Sequence, residues 1–203
     1  MFALVESGNI TKMMRGNKGI TIGDNQYPAA IFTVWTESER NAIGIYTIEI
    51  DETNRKNEEY YINTDITYTY DSSAKKVKGT YGTATAKAHA DTKWTQSEID
   101  AGNAPEGADT NTVKTEGLKT ILIRVIKSQV KSILNETDWY VTRKAEKSTA
   151  IPSAITTHRD AVRTKQAAME TAITNAADTA AIETLYTRDS NGDRPIGDLP
   201  TLE

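Results

Sequence analysis

The hydrophobic pattern of this chain changes its period near residue 117. Before that point apolar and polar residues alternate, as in residues 45–50 (IYTIEI) and 66–70 (ITYTY), which predicts half-buried β-strands. Beyond it, apolar residues recur every three or four positions from Leu118 to Leu134, which predicts a long amphipathic helix. Strands followed by helices predict an α+β fold, with a β-rich N-terminal region containing short helices and then an α-helical hairpin.

Local signals predict several elements of the β-rich region. Residues 7–9 (Ser-Gly-Asn) separate two apolar runs and predict a hairpin, and residues 71–73 predict a second hairpin rich in Thr and Tyr. Residues 36–39 (Thr-Glu-Ser-Glu) and 95–98 (Thr-Gln-Ser-Glu) match the capping box, so each predicts a short helix. A Trp precedes both, but nothing else aligns at this offset, which favours two independent capping boxes over an internal repeat.

We expect four segments along the chain. The second long helix is predicted to begin at Pro152-Ser153, with Ser153 as its N-cap. Residues 100–116 contain Gly and Pro and show no hydrophobic periodicity, which predicts a linker. The four segments are a β-rich domain with two short helices (1–99), a linker (100–116), a helical hairpin plus a short third helix (117–187) and an irregular C-terminal tail (188–203).

Composition and motifs exclude several function classes. The chain lacks Cys, which removes disulfides, thiolate metal sites and a Cys nucleophile. Its two histidines, His89 and His158, lie in different predicted regions, and no Gly-rich phosphate loop is present; we therefore expect no enzyme and no catalytic, cofactor or metal site. The net charge of −4 argues against nucleic-acid binding. The start does not resemble a signal peptide, and no apolar run approaches the ~20 residues of a membrane span.

A group of tyrosines crowds the later part of the β-rich region, with Thr interleaved. Tyrosine supplies a large contact area at a small cost in side-chain entropy, so this group suits the binding of a host glycan. Ordinary cross-strand packing explains the same pattern, and both interpretations stay open here. The group consists of Tyr60, Tyr61, Tyr68, Tyr70 and Tyr81.

Residues 134–139 (Leu-Asn-Glu-Thr-Asp-Trp) and 158–163 (His-Arg-Asp-Ala-Val-Arg) carry a resemblance to a known family. With Arg143 and Ile151-Pro152 between them, they resemble the C-terminal module of bacteriophage tail-fibre assembly proteins. That module reads Leu-x-x-Thr-Asp-Trp, a polar stretch with a proline, and then Tyr-Arg-x-x-Leu-Arg. In this chain a His replaces the Tyr and a Val replaces the Leu. More loosely, the opening residues 2–5 and the closing residues 194–202 are similar to small tail proteins of marine tailed phages.

The resemblance implies a non-enzymatic phage tail protein that acts by protein–protein contacts in tail-fibre attachment or assembly. It implies a location in the virion tail, after assembly in the host cytoplasm. The implied partners are other tail proteins of the fibre or baseplate, with a second copy of the chain and a host glycan as further candidates. Two roles stay open: a structural component of the virion, and an assembly chaperone that is absent from the mature virion.

The helical half supplies the expected contact residues. Trp139 is predicted to fill the apex between two helices, with Thr137 or Asp138 capping the chain there. Two arginines one helical turn apart either hold a carboxylate of a partner or pair with acids inside the protein, such as Asp138. The expected partner-binding residues are Trp139, Arg143, Arg159 and Arg163.

Overall fold

The computed structural model describes residues 1–202 and divides into two compact units, Met1–Thr85 and Ala86–Glu203. The first unit is built on a curled five-stranded sheet with short helices, and the second is built mainly of helices. This order confirms the predicted α+β fold class. The boundary falls after Thr85, ahead of the segment 100–116 that was expected to act as the linker.

The five-stranded sheet of the first unit has the strand order β2-β1-β5-β8-β7, and all its pairs are antiparallel except β5–β8. The strands β3 and β4 form a separate hairpin. The strands are β1 (Phe2–Glu6), β2 (Asn9–Met14), β3 (Ile20–Ile22), β4 (Asn25–Tyr27), β5 (Ile45–Asp51), β6 (Tyr61–Ile62), β7 (Ile66–Asp71) and β8 (Lys76–Tyr81). The helices are α1 (Ile31–Val34) and α2 (Glu37–Ala42).

Both predicted hairpins are confirmed. In the turn between β1 and β2, Ser7 and Gly8 have φ angles of 50° and 81°. Two successive residues with positive φ give a turn whose twist matches that of the flanking strands. In the turn between β7 and β8, the Asp71 carboxylate accepts hydrogen bonds from the backbone N–H groups of Ser73 and Ala74. Short polar side chains therefore stabilise the turn where the sequence indicated it.

Alternation along β1 separates two hydrophobic clusters on opposite faces of the sheet. Phe2 and Leu4 point to the face covered by α1, whereas Ala3 and Val5 point to the other face. The first cluster has the buried members Leu4, Ile20, Ile31, Phe32 and Ile45. The second has the buried members Ala3, Val5, Ile48 and Val77, with Ile10, Tyr46, Tyr68 and Tyr70 packed against them. The edge strands β2 and β7 approach each other because the sheet curls around this second cluster.

Both capping boxes form as predicted. Thr36 caps α2 and Thr95 caps α3 (Gln96–Asp100), and in each box a Glu side chain accepts from the backbone N–H of the cap residue. Hydrogen bonds to a carboxylate favour its charged form. The Lys114 ammonium and the Thr95 backbone and hydroxyl groups accordingly lower the pKa of Glu98 to about 2.

The lowered pKa of Glu98 predicts that the stability of the protein depends on pH. Because the folded pKa of Glu98 lies below its ordinary value of 4.5, the stability it contributes is complete above pH 4.5 and is lost as the pH falls towards 2. Replacing Lys114 by Gln removes the largest cause, so the pKa of Glu98 should rise towards its ordinary value. An NMR titration of the side-chain carboxyl carbon measures this directly. The pKa of Glu39, in the other box, should not move.

The second unit begins with a segment that packs along the start of its first long helix. The backbone N–H of Leu118 donates to the carbonyl of Ala88 over 2.9 Å, and that of Gly117 donates to Asp91 Oδ1 over 2.7 Å. The segment contains β10 (Thr92–Lys93), α3 and β11 (Val113–Thr115), and β10 pairs with β11. The unit boundary falls within β9 (Thr85–Ala86). The residues between 100 and 116 thus include a strand that is paired within the second unit.

Four helices form the rest of this unit, where a hairpin and one short helix were predicted. The long first and third pack against each other as the predicted helical hairpin, and the second was not predicted. The four helices are α4 (Leu118–Asn135), α5 (Asp138–Lys147), α6 (Ser153–Asn175) and α7 (Thr179–Tyr186). Their core contains Ile126, Val130, Val162, Met169, Ile173 and, from the tail, Ile196. Ser153 was expected to cap α6, but it is the first helical residue. Pro152 occupies the cap position and makes no side-chain bond there.

Candidate interaction surface on the helical unit

The connection between α4 and α5 is held by a single buried arginine of α6. Arg159 is only 8% exposed. Its Nη1 donates to the carbonyl of Leu134 over 2.8 Å and to Thr137 Oγ1 over 2.7 Å, and its Nη2 donates to Asp138 Oδ1 over 2.8 Å. We call these four residues the Arg159 network. The planar guanidinium can join three acceptors at once, which a lysine ammonium on a flexible stem does less well.

The network explains the local structure of the Thr-Asp-Trp motif. Thr137 is 3% exposed, and its hydroxyl donates to Leu134 while accepting from Arg159. The hydroxyl is therefore occupied, and Thr137 makes no side-chain cap to α5. Asp138 stands in the first turn of α5, where the helix dipole favours a negative charge. Of the two residues expected to cap the chain here, Thr137 occupies the cap position of α5 without a side-chain bond to that helix, and Asp138 is its first residue.

Trp139 lies outside the core, contrary to the expectation that it fills the apex between the helices. Its side chain is 51% exposed. The apex is occupied instead by Thr137 and the Arg159 guanidinium. Since α5 begins directly after Thr137, the next side chains along the helix point in other directions, and Trp139 faces solvent.

Trp139 forms a small aromatic and cationic surface with two further residues of α5. Its ring centroid lies 3.8 Å from that of Tyr140, with an angle of 32° between the planes. The Cζ atom of Arg143 lies 4.7 Å from the Trp139 ring and 5.2 Å from the Tyr140 ring. These are cation–π distances. We call Trp139, Tyr140 and Arg143 the α5 surface.

One N–H group of the Arg143 guanidinium makes no hydrogen bond among residues 1–202. This group is the Nε of Arg143, which is buried. The neighbouring residues of α5 include Lys144 and Lys147 in its last turn. The surface thus combines exposed aromatic area with positive charge.

The two arginines expected to act as a pair have different environments. Arg159 donates inside the protein, whereas the Arg163 side chain is exposed and lies 3.7 Å from Asp160 in a pair one turn apart on α6. Of the four expected contact residues, Trp139 and Arg143 come together, and Arg163 belongs to another helix. Tyr140 was missed, although its spacing of three residues from Arg143 on a helix would have indicated the contact.

The tyrosines of the first unit are mostly packed. Tyr60 is buried, and Tyr61, Tyr68, Tyr70 and Tyr81 are half-buried. Tyr68 and Tyr70 lie against the cluster around Val77. Packing between strands therefore accounts for these two.

Among residues 1–202, no three His, Asp or Glu side chains gather in a way that could hold a metal ion. Within the same residues, every helix is too short or too polar to cross a membrane.

The chain matches no protein-family model, and no match was found among curated proteins or solved structures.

Proposed function

We propose that this chain is a non-enzymatic bacteriophage tail protein that acts by protein–protein contacts in tail-fibre attachment or assembly. In this proposal it is a structural component of the fibre or baseplate region of the virion, and its partners are other tail proteins. The observation that carries the proposal is the α5 surface. It lies within the stretch that resembles the tail-fibre assembly module, and it presents Trp139 to solvent.

The composition of the α5 surface suits a contact with another protein. Trp, Tyr and Arg are the residues that most often dominate binding energy at protein interfaces. The stacking of Trp139 on Tyr140 and Arg143 holds the three side chains in place before a partner arrives. Less side-chain freedom is then lost on binding. The positive charge of the Arg143 guanidinium and of the nearby lysines favours a partner segment that carries carboxylates.

The Arg159 network gives this surface a rigid base. It ties the start of α5 to both α4 and α6 through hydrogen bonds that are buried or partly buried. Contact residues need such support, because immobilising a loosely held side chain costs conformational entropy on binding and so lowers the affinity for the partner. In the proposal Arg159 is therefore a positioning residue, and Trp139 and Arg143 touch the partner.

Mass spectrometry of purified particles of the phage that encodes this chain tests the proposed role. A structural component should be present in a fixed ratio to the other fibre or baseplate chains. An assembly chaperone should be found in infected cells and be absent from particles. Absence from particles would therefore contradict the virion role while leaving the proposed contact to be tested by itself.

Trp139→Ala tests the proposed contact. Because Trp139 is half-exposed, its removal should change the free energy of unfolding by less than about 1 kcal/mol. If it is a central contact residue, the affinity for the partner should fall by at least about 2 kcal/mol, or about 30-fold. Urea unfolding and calorimetric titration with the partner chain found in particles measure the two effects.

Val34→Ala is the matched control, because Val34 is an exposed apolar residue of the first unit at 76%. It should leave both stability and affinity unchanged. Equal affinities for the wild-type chain and Trp139→Ala would remove the α5 surface from the interface.

A further inference from the structure

The first unit contains an open cleft that the proposed function does not use. It lies between α2 and the turn that joins β7 to β8, and its volume is about 490 Å³. This volume falls within the range of small-molecule sites. Its floor and walls combine one aromatic ring with polar and charged side chains, of which Tyr46, Glu37, Asn41, Lys75 and Lys76 matter most below.

The floor of the cleft is a firmly held tyrosine. The ring centroid of Tyr46 lies 4.6 Å from that of Tyr70, and both rings pack against the cluster around Val77. A hydrogen bond with the Tyr70 hydroxyl is the largest cause that raises the pKa of Tyr46 to about 12, followed by burial. Tyr46 therefore stays neutral over the physiological range and offers a fixed aromatic surface.

The walls of the cleft offer both hydrogen-bond donors and acceptors. Glu37 contributes a carboxylate, Asn41 an amide and Lys75 an ammonium group. Asn41 and Glu37 stand on α2, while Lys75 stands in the opposite turn, where its φ angle is 51°. The Asn41 amide nitrogen lies 3.5 Å from the Lys75 carbonyl, which links the two walls. Lys76 is held by an ion pair with Glu49.

We propose that this cleft binds a hexopyranose unit of a glycan. A pyranose has an apolar face of C–H groups, which stacks on an aromatic ring, and a rim of hydroxyl groups that both donate and accept hydrogen bonds. Tyr46 receives the apolar face, the Glu37 and Asn41 oxygens accept from hydroxyls, and the Lys75 ammonium and Asn41 amide donate to them. This site is independent of the α5 surface and of the proposed contact with tail proteins.

The chemistry of the cleft argues for a sugar over two other ligands. A peptide strand would need an exposed sheet edge or a long apolar groove, and this cleft is bounded by a helix and a turn. An anion would meet the Glu37 carboxylate, and Lys76 already pairs with Glu49. The small side chains of Ala42 and Ala74 keep the entrance open to a ring-shaped ligand.

The test uses the full chain labelled with ¹⁵N and four probes: glucose, galactose, mannose and N-acetylglucosamine. At least one should shift the amide signals of α2 and of the β7–β8 turn, with a dissociation constant in the millimolar range. Ala42→Trp places an indole in the entrance, at an exposed position of α2, and should abolish these shifts. Asn41→Ala should weaken binding several-fold.

Ala161→Trp is the control, since it adds the same indole at an exposed position of α6 and should bind the sugar as the wild-type chain does. The amide spectrum of Ala42→Trp without sugar reports whether the variant is folded. The proposal is overturned if none of the four probes shifts the cleft signals. It is also overturned if the shifts persist in a folded Ala42→Trp.

Discussion

Replacing Arg159 by alanine is expected to lower the free energy of unfolding of the helical unit by about 3 kcal/mol. The substitution removes the donors to Leu134, Thr137 and Asp138; the hydrogen bond to Thr137 is buried, and the other two are partly buried. A hydrogen bond from a charged group contributes about 1.5–3 kcal/mol, and buried acceptors left without donors add a cost of their own. Urea unfolding followed by helical circular dichroism measures the change.

Arg163→Ala is the matched control for this prediction. Arg163 stands one turn further along α6 and is exposed, and its nearest carboxylate is 3.7 Å away. Exposed pairs of this kind contribute less than about 1 kcal/mol. Arg159→Lys should be intermediate, because it keeps the charge but not the planar fork. Equal losses for Arg159→Ala and Arg163→Ala would show that the network does not hold the apex.

The second large effect is expected at Gly117, which precedes α4. Its φ angle lies in the range that any residue adopts, so local propensity predicts that alanine would stabilise the chain by about 0.4–1 kcal/mol. The structure predicts the opposite sign. A Cβ atom there would lie 2.3 Å from the carbonyl carbon and 2.8 Å from the Cα of Ala90. These are backbone atoms and cannot rotate away, so Gly117→Ala should cost about 3 kcal/mol.

Gly107→Ala separates this steric effect from the general effect of removing a glycine. Nothing lies within 4 Å of a Cβ atom at Gly107, but its φ angle is +77°. Alanine in that conformation costs about 1–2 kcal/mol through backbone strain alone. Urea unfolding of both variants gives the comparison. A Gly117→Ala chain as stable as the wild type would mean that residues 86–91 do not pack against the start of α4.

The parts of the fold that follow from short stretches of sequence were predictable. A hairpin turn needs positive φ at its centre, and Ser7-Gly8 supplies it. A capping box needs Thr and Glu three residues apart, and both copies form. The long helix α4 follows from its apolar period. Each of these rules involves residues that lie within a few positions of each other.

The orientation of the two arginines was only partly predictable. Arg159 lies between the buried Ile155 and Val162 on one line of α6, and this spacing indicates that it faces inward. Arg163 stands four residues on, which rotates it about 40° further around the helix and out of that line. The hydrophobic periodicity therefore predicts that Arg159 is buried and Arg163 is exposed. It does not predict which groups accept hydrogen bonds from Arg159, because these lie at the junction of α4 and α5 and depend on how three helices meet.

The position of Trp139 was not predictable from hydrophobicity. A large apolar residue beside a helix junction is normally expected to be buried. Here a buried arginine with its hydrogen-bond partners fills the junction, and the Trp packs on Tyr140 and Arg143 outside. The limits of the first unit were equally hidden, because residues 86–91 join the helical unit through backbone hydrogen bonds that have no sequence period.

Site-specific photo-cross-linking during phage infection tests most directly the proposed contact between the α5 surface and a tail protein. A photoreactive benzoylphenylalanine at position 139 replaces one exposed aromatic side chain by another. The same group at position 161, exposed on α6, is the control. We predict a cross-link from position 139 to a fibre or baseplate chain, identified by mass spectrometry, and none from position 161. No cross-link from position 139, or the same products from both positions, would contradict the proposed contact.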